Sequence, residues 1–213
     1  MRALALLLVP FALTAAACGQ EARPAGDPTA ADLPEGAAQA IFASGCFWCT
    51  EADFEKLDGV VEAVSGYTGG HVDNPTYRQV TGGGTGHHEA VRVIYDPDAV
   101  GYAALLDHYW RNVDPFDGGG QFCDRGPSYA PAIFTLDEDQ ADAARASRDR
   151  VSARFDREIA VDIEPAGDFW PAEDYHQDYA EKNPLRYSRY RLGCRRDQRL
   201  REIWGDEALG ANG

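Results

Sequence analysis

"SGCFWCTEADFEKLDG", Ser44 to Gly59, is the stretch whose reading decides the fold. It follows "QAIFASG", an apolar run with the length and composition of a strand, ended by Gly45. Within it Phe47, Trp48, Phe54 and Leu57 recur near helical spacing, and Gly59 stops the pattern. The stretch is therefore a strand-to-helix turn. Cys46 stands at the helix entrance and Cys49 lies one turn along.

Working outward, "VVEAVSGYTGG" predicts a strand running into a Gly-rich turn, and "NPTYRQVTGGGTGHHE" predicts an irregular loop. "EAVRVIYDP" alternates as a strand, and "GYAALLDHYWRNV" is an amphipathic helix. "DPFDGGGQFCDRGPSYA" is a second long loop and "PAIFTL" a strand. "DEDQADAARASRDRVSARF" opens on acids and ends on bases, as a helix dipole prefers. "IAVDIEPA" is a strand, "AEDYHQDYAEKN" a short helix, and the rest is expected to be largely irregular. The order predicts an α+β fold: a two-layer sandwich of a mixed β-sheet with flanking helices. Its two long Gly-rich loops have the length of functional loops.

The ends read differently. Residues 1–18 form an export signal, with Arg2, an apolar run to Leu13, then small residues. The small residues lead into Cys18, as in a bacterial lipoprotein signal, although Ala15 stands where such signals usually carry Leu. The expectation is a lipidated Cys18 and a periplasmic or envelope location. Residues 19–38 are rich in Ala, Pro, Gly and acids and predict a flexible linker. Residues 39–204 form the catalytic domain, and residues 205–213 are expected to be a frayed tail.

The 213 residues carry a formal charge of -15. Phosphate repels such a chain, which excludes nucleic acid as a partner. Apart from Cys18, the cysteines are Cys46, Cys49, Cys123 and Cys194. Four in an exported protein suit two disulfides, yet the domain is long enough not to need them. The only Met is Met1, which the signal removes, so the mature domain is immune to methionine oxidation.

A free thiol is only about 3% ionised at pH 7. A helix N-terminus is worth up to ~2 kcal/mol to an anion, which raises the ionised share to about half. Cys46 is thus the expected nucleophile. Zinc is not expected: His87 and His88 are adjacent on a strand and point to opposite faces.

With "GCFWCTE" (Gly45–Glu51) stand "GYTGG" (Gly66–Gly70), "NPTY" (Asn74–Tyr77), "GHHEAV" (Gly86–Val91), "DRGPSY" (Asp124–Tyr129), "YHQDY" (Tyr175–Tyr179) and "GCRRDQRL" (Gly193–Leu200). In this order they resemble the peptide methionine sulfoxide reductase A family, from about Ile41 to Trp204. The resemblance implies reduction of methionine-S-sulfoxide, free or in proteins, with no metal, no bound cofactor and a thioredoxin-like dithiol as reductant. It implies Cys46 as nucleophile and Phe47 and Trp48 as walls around the substrate methyl. Glu89 matches the acid that protonates the sulfoxide oxygen. Tyr77 and Tyr129 match hydroxyls that bind that oxygen, and Asp124 a polar residue of the same pocket.

The chemistry suits these residues. Sulfoxide sulfur is a poor electrophile until its oxygen is protonated or strongly hydrogen bonded. Thiolate attack then leaves the thioether and a sulfenic acid. Burial is expected to keep Glu89 neutral as a donor. Cys49 stands where the commonest family pattern has Gly, one helical turn from Cys46, and is a local resolver. Cys194 matches a recycling cysteine on a mobile tail in other members, and a relay through both is open. Cys123, beside Asp124, is expected to be a packed thiol. Two other readings compete: a general thiol-disulfide oxidoreductase using Cys46 and Cys49, and an envelope redox sensor or disulfide-stapled binding lipoprotein. A monomer is expected, since no apolar stripe is left over.

Overall fold

The architecture follows from strand alternation. A computed structural model describes residues 33–210; the expected signal, Cys18 and most of the expected linker lie outside the described residues. Strands β1 (Ala38–Ala43), β2 (Val60–Thr68), β3 (His88–Tyr95), β6 (Ala132–Thr135), β7 (Asp162–Pro165) and β8 (Trp170–Pro171) form one sheet in the order β7-β6-β1-β3-β2-β8. Strands β6 and β7 are parallel and the other pairs antiparallel, so the sheet is mixed as expected. β4 (Gly120–Gln121) and β5 (Asp124–Arg125) form a separate small hairpin.

Successive strand residues face opposite sides. On one side Ala40, Phe42, Val91, Val93 and Tyr95 join the main core. That core also takes residues of α1 (Phe47–Phe54), α3 (Tyr102–Arg111), α4 (Glu138–Phe155) and α7 (Arg196–Trp204). Phe42 stacks on Phe54 at 4.9 Å and on Tyr109 at 5.2 Å. On the other side Ile41, Ala43, Ala90, Ala132 and Phe134 pack with Phe169 in a smaller cluster. This alternation places Glu89 on the face of Val91 and Val93, toward the helices.

Several expectations are corrected. The loop "NPTYRQVTGGGTGHHE" contains α2 (Tyr77–Gly82), started by a capping box in which Thr76 and Gln79 satisfy each other's backbone N–H groups. The second loop holds the β4-β5 hairpin and a 3-10 turn at Pro127–Tyr129. Beyond α5 (Tyr179–Lys182) the chain is helical rather than irregular: α6 (Pro184–Gly193) precedes α7. Pro184 opens α6 where its missing N–H costs nothing. Residues 205–210 are not frayed. Ala208 is buried, the Leu209 N–H donates to Arg111 O, and Glu207 pairs with Arg111 and Arg154.

Candidate active site

The turn between β1 and α1 is fixed from three directions. Gly45 has φ +88°, and a Cβ there would lie 2.5 Å from Gln121 Cβ. Only glycine combines that backbone with that approach. Tyr109 on α3 donates to Ala43 O at 3.0 Å, and Arg196 on α7 donates to Ser44 O at 3.0 Å and Asn112 O at 2.6 Å. Cys46 is then the N-cap of α1, its carbonyl accepting from the Cys49 and Thr50 N–H groups.

The helix entrance does not ionise Cys46 as expected. Its side chain is only 7% exposed. Burial pushes the thiol well above its ordinary value, the hydrogen bond to Cys49 adds to this, and so do the charges of Cys49 and Glu89. A helix terminus contributes at most ~2 kcal/mol, whereas full burial shifts a pKa by several units. Desolvation wins. Cys49 moves the other way, to about 7, through the hydrogen bond from Cys46 and the charges of Arg196 and Arg191. The two thiols form one dithiol whose first proton leaves easily and whose second is held tightly.

The two arginines are anchored by Asp53, on the same helix as the thiols. Arg191 on α6 reaches Asp53 at 2.9 Å and Arg196 at 3.7 Å. Burial pushes the Asp53 carboxyl up, but Arg191, Arg196 and Lys56 overcome it and hold it below its ordinary value.

On the sheet side, Glu89 Oε2 accepts from the Phe47 N–H at 3.1 Å, while Oε1 is buried without a hydrogen-bond partner. Burial raises the Glu89 carboxyl to about 8, and the nearby charge of Asp124 adds to this. The group is therefore neutral at pH 7, as expected. Tyr77 and Tyr129 are brought to the same place: Glu89 acts on the titration of both. Burial first, then Glu89, raises Tyr77 to about 12 and Tyr129 further still, so both stay hydroxyls.

Phe47 is fully buried, packed against Tyr67, Tyr77 and His176. Trp48 lies flat on Tyr179 at 3.7 Å, and its Nε1 donates to His176 Nδ1 at 3.0 Å. Glu173 accepts from the Tyr77 N–H and the Tyr67 hydroxyl, so it sets the start of α2. His176, within "YHQDY", and Glu173 have no role legible in the sequence. Both lie far along the chain from what they hold, and only the Thr76-Gln79 capping pattern gave a local signal for α2.

The C-terminal helices cover the thiols. The Tyr190 hydroxyl on α6 donates to Asp124 Oδ2, and Tyr190 opposes the rise of the Cys46 thiol. Its ring meets Trp48 edge-on at 5.9 Å. Burial raises the Asp124 carboxyl above its ordinary value. One cysteine expectation is corrected: Cys123 is not a packed thiol but forms a disulfide with Cys194. Cys46 and Cys49 are the free, buried pair. Two clusters of metal-ligand type occur among the described residues, Cys123-Asp124-Cys194 and Glu51-Glu55-Asp178. In the first the sulfurs are bonded to each other; in the second Glu51 already accepts from the Ser65 hydroxyl and the Asp178 N–H.

A family model described as peptide methionine sulfoxide reductase matches residues 38–208. The chain is 51% identical over 179 residues to peptide methionine sulfoxide reductase MsrA 2 of Rhizobium meliloti, covering 83% of this chain and 89% of that one. It is 53% identical over 167 residues to the MsrA 2 of Caulobacter vibrioides, covering 78% and 85%. Among solved structures it is similar to methionine sulfoxide reductase A of Corynebacterium diphtheriae, with TM-score 0.66, 35% identity and coverage of 71% and 77%. It is also similar to reduced Mxr1 of Saccharomyces cerevisiae, with TM-score 0.67, 30% identity and coverage of 71% and 88%.

Proposed function

The chain belongs to the peptide methionine sulfoxide reductase family, and on that premise we propose how its own residues reduce methionine sulfoxide and where they do so. The observation that carries the mechanism is the neutral, buried Glu89 with a free Oε1 beside a buried dithiol. The sulfoxide oxygen takes the place facing Glu89 Oε1, Tyr77 and Tyr129. Phe47 and Trp48 wall the substrate methyl, and Asp124 closes the polar side. The Cys46 thiolate attacks sulfur as Glu89 protonates the oxygen. The thioether leaves, and Cys46 carries the hydroxyl as a sulfenic acid.

Cys49 resolves it. Its sulfur attacks Cys46, releasing water and forming the Cys46–Cys49 disulfide. Cys49 supports this role by its low pKa and by its hydrogen bond to Cys46. Cys194 is engaged with Cys123 and is not available for the same step. A thioredoxin-like dithiol then restores both thiols by exchange, without a bound cofactor. The S-epimer is the proposed substrate, in a monomer. Export, lipidation at Cys18 and an envelope location are supported by the sequence of residues 1–18. Among the described residues no helix is long and apolar enough to cross a membrane.

Turnover of a methionine-S-sulfoxide peptide with dithiothreitol tests the assignment. Cys46→Ser is expected to abolish methionine formation. Without dithiothreitol, Cys49→Ser is expected to keep the first turnover but leave a sulfenic acid on Cys46, seen as a gain of one oxygen by mass spectrometry. A Cys49→Ser enzyme that forms a Cys46–Cys194 disulfide at the wild-type rate would overturn the role of Cys49. The thiol-disulfide oxidoreductase reading predicts reduction of an unrelated disulfide by wild type and no loss of it in Glu89→Gln.

A further inference from the structure

The helices that cover the thiols carry a surface that the steps above leave without a use. Between Pro184 and Trp204 stand seven arginines against two acids, Asp197 and Glu202, in a chain whose formal charge is -15. Arg191 and Arg196 are engaged by Asp53, and Arg199 by Asp114. Arg186, Arg189, Arg195 and Arg201 are exposed and meet no carboxylate within ion-pair distance among the described residues. Leu185 and Leu192 are 76% and 80% exposed, the two most exposed large apolar side chains among the described residues. They stand seven positions apart on α6 and share one face, with Arg189 between them. Beside them Tyr187, Arg191, Leu192, Arg195, Gln198 and Arg201 line a groove of about 530 Å³.

The groove is tied to the helix that holds the dithiol. Arg191 Nη1 donates to the Tyr187 hydroxyl at 2.9 Å and to Asp53 Oδ2 at 3.0 Å. Asp53 stands one helical turn beyond Cys49 on α1. On the inner side of α6, Tyr190 meets Trp48 edge-on at 5.9 Å. Cys194 caps the end of α6 and is bonded to Cys123. The surface is therefore fixed before any partner arrives, which lowers the ordering cost of binding.

We propose that the outer face of α6, with the groove toward α7, is the docking surface for the reductant, an acidic thioredoxin-like dithiol protein. Charge carries the choice of partner. Four unpaired cations on an otherwise acidic molecule steer an acidic partner to this face and repel it elsewhere. The two leucines give the patch an apolar contact at its centre. Substrate proteins share no common charge, whereas the reductant is one protein that returns in every cycle, so a fixed charged surface suits the reductant. The substrate groups Glu89, Tyr77 and Tyr129 also come from β3, α2 and the 3-10 turn rather than from α6 or α7. A helix lying on a membrane needs a broad apolar face, and α6 turns only two leucines outward over ten residues. In the docked complex a partner thiolate attacks Cys46, the less buried sulfur of the Cys46–Cys49 disulfide, and a mixed disulfide forms. The partner's second thiol then closes its own disulfide. Two electrons and the two thiol protons pass from the partner to Cys46 and Cys49.

The proposal rests on the Cys46–Cys49 disulfide of the proposed cycle, and its test separates the two claims. Turnover of a methionine-S-sulfoxide peptide is driven either by dithiothreitol, which needs no docking, or by an acidic thioredoxin with its reductase and NADPH. The variants are Arg186→Glu combined with Arg189→Glu, and Leu192→Ser, all at exposed residues outside the catalytic groups. With thioredoxin, kcat/KM for the reductant is expected to fall about tenfold in the double variant and about threefold in Leu192→Ser. With dithiothreitol both variants are expected to stay within about twofold of wild type. Wild-type turnover with thioredoxin should slow between about 50 and 300 mM salt, and the double variant should lose that dependence. An unchanged thioredoxin rate in both variants would overturn the docking surface. An equal loss with dithiothreitol would also overturn it and give the arginines to the substrate peptide. Binding to phosphatidylglycerol vesicles that the double variant abolishes, with thioredoxin turnover intact, would assign the face to a membrane instead. Reduction of the diamide-oxidised enzyme by thioredoxin, followed as NADPH consumption, is read separately from methionine formation. If wild type forms no methionine while that reduction still depends on Arg186 and Arg189, the surface stands and the reductase assignment falls.

Discussion

Two halves of the molecule meet at the same pair of sulfur atoms and are built on different physics. The half made by α1, α2 and β3 presents neutral groups: a protonated Glu89, two hydroxyls, a buried Phe47 and the backbone of the α1 entrance. The half made by α6 and α7 presents charge and a covalent link: Arg191 and Arg196, which reach across to Asp53 of α1, and the Cys123–Cys194 disulfide. A reaction that must protonate an oxygen needs acids that stay neutral in a dry site. A dithiol that must lose one proton needs fixed positive charge. Each half supplies what the other would spoil, because a cation beside Glu89 would ionise it.

The sharpest way to break this division is Glu89→Gln. The amide keeps the shape and the bond to the Phe47 N–H is retained in kind, but no proton can be delivered. General acid catalysis is worth roughly 10²–10⁴-fold, so kcat is expected to fall by at least about a hundredfold with the fold intact. The pH profile gives the sign. Glu89 donates only while protonated, and burial places its titration at about 8. Wild-type kcat is therefore expected to hold below pH 8 and fall above it, tenfold per unit. The variant should lose that alkaline limb. A variant that retains it would assign the limb to the thiols instead.

The sequence made the first half legible and the second half opaque. Cys46 is marked by the glycine turn from strand to helix, whereas Glu89, Tyr77 and Tyr129 are marked only by the ordered motifs that resemble the family. The segment from Pro184 to Trp204 carries a helical pattern diluted by arginines, which read as solvated polar residues. Two of them, Arg191 and Arg196, are instead buried against Asp53, a pairing that depends on tertiary contact and leaves no local trace. The same holds for Cys123 and Cys194, 71 residues apart. The ionisation of Cys46 departs from its sequence expectation for a related reason: the helix end is visible in sequence, and the depth of burial is not.

Asp53→Asn tests the seam between the halves. It leaves two nearly buried guanidinium groups without their carboxylate, and breaking such a pair costs ~3–5 kcal/mol. In a domain of this size that corresponds to a fall in Tm on the order of 10 °C. The carboxyl is held low in the folded state, so its contribution is present above about pH 4 and is lost as pH falls through the lowered folded value. The gap between wild type and variant is therefore expected at pH 7 in thermal unfolding and should close in acid. Asp53 also opposes ionisation of Cys49, so the variant should form its first thiolate at lower pH. Equal Tm values at pH 7 would mean that the charged half contributes nothing to holding the helices together.

The smallest expected effect comes from Thr76→Ala, within the neutral half. The Thr76 hydroxyl caps α2 together with the Gln79 side chain, and losing such a cap costs ~1 kcal/mol, or about 2–4 °C in Tm. Tyr77 opens that helix, yet its N–H is separately held by Glu173 at 2.9 Å and its ring packs on Phe47 and His176. The cap and the catalytic hydroxyl are thus supported by different contacts. kcat is expected to change by less than about threefold, a shift of under 1 kcal/mol in the barrier. A loss comparable with that of Glu89→Gln would show that one weak cap sets the position of Tyr77. The neutral half would then depend on local helix propensity, where its packing indicates that it depends on Glu173 and the aromatic cluster.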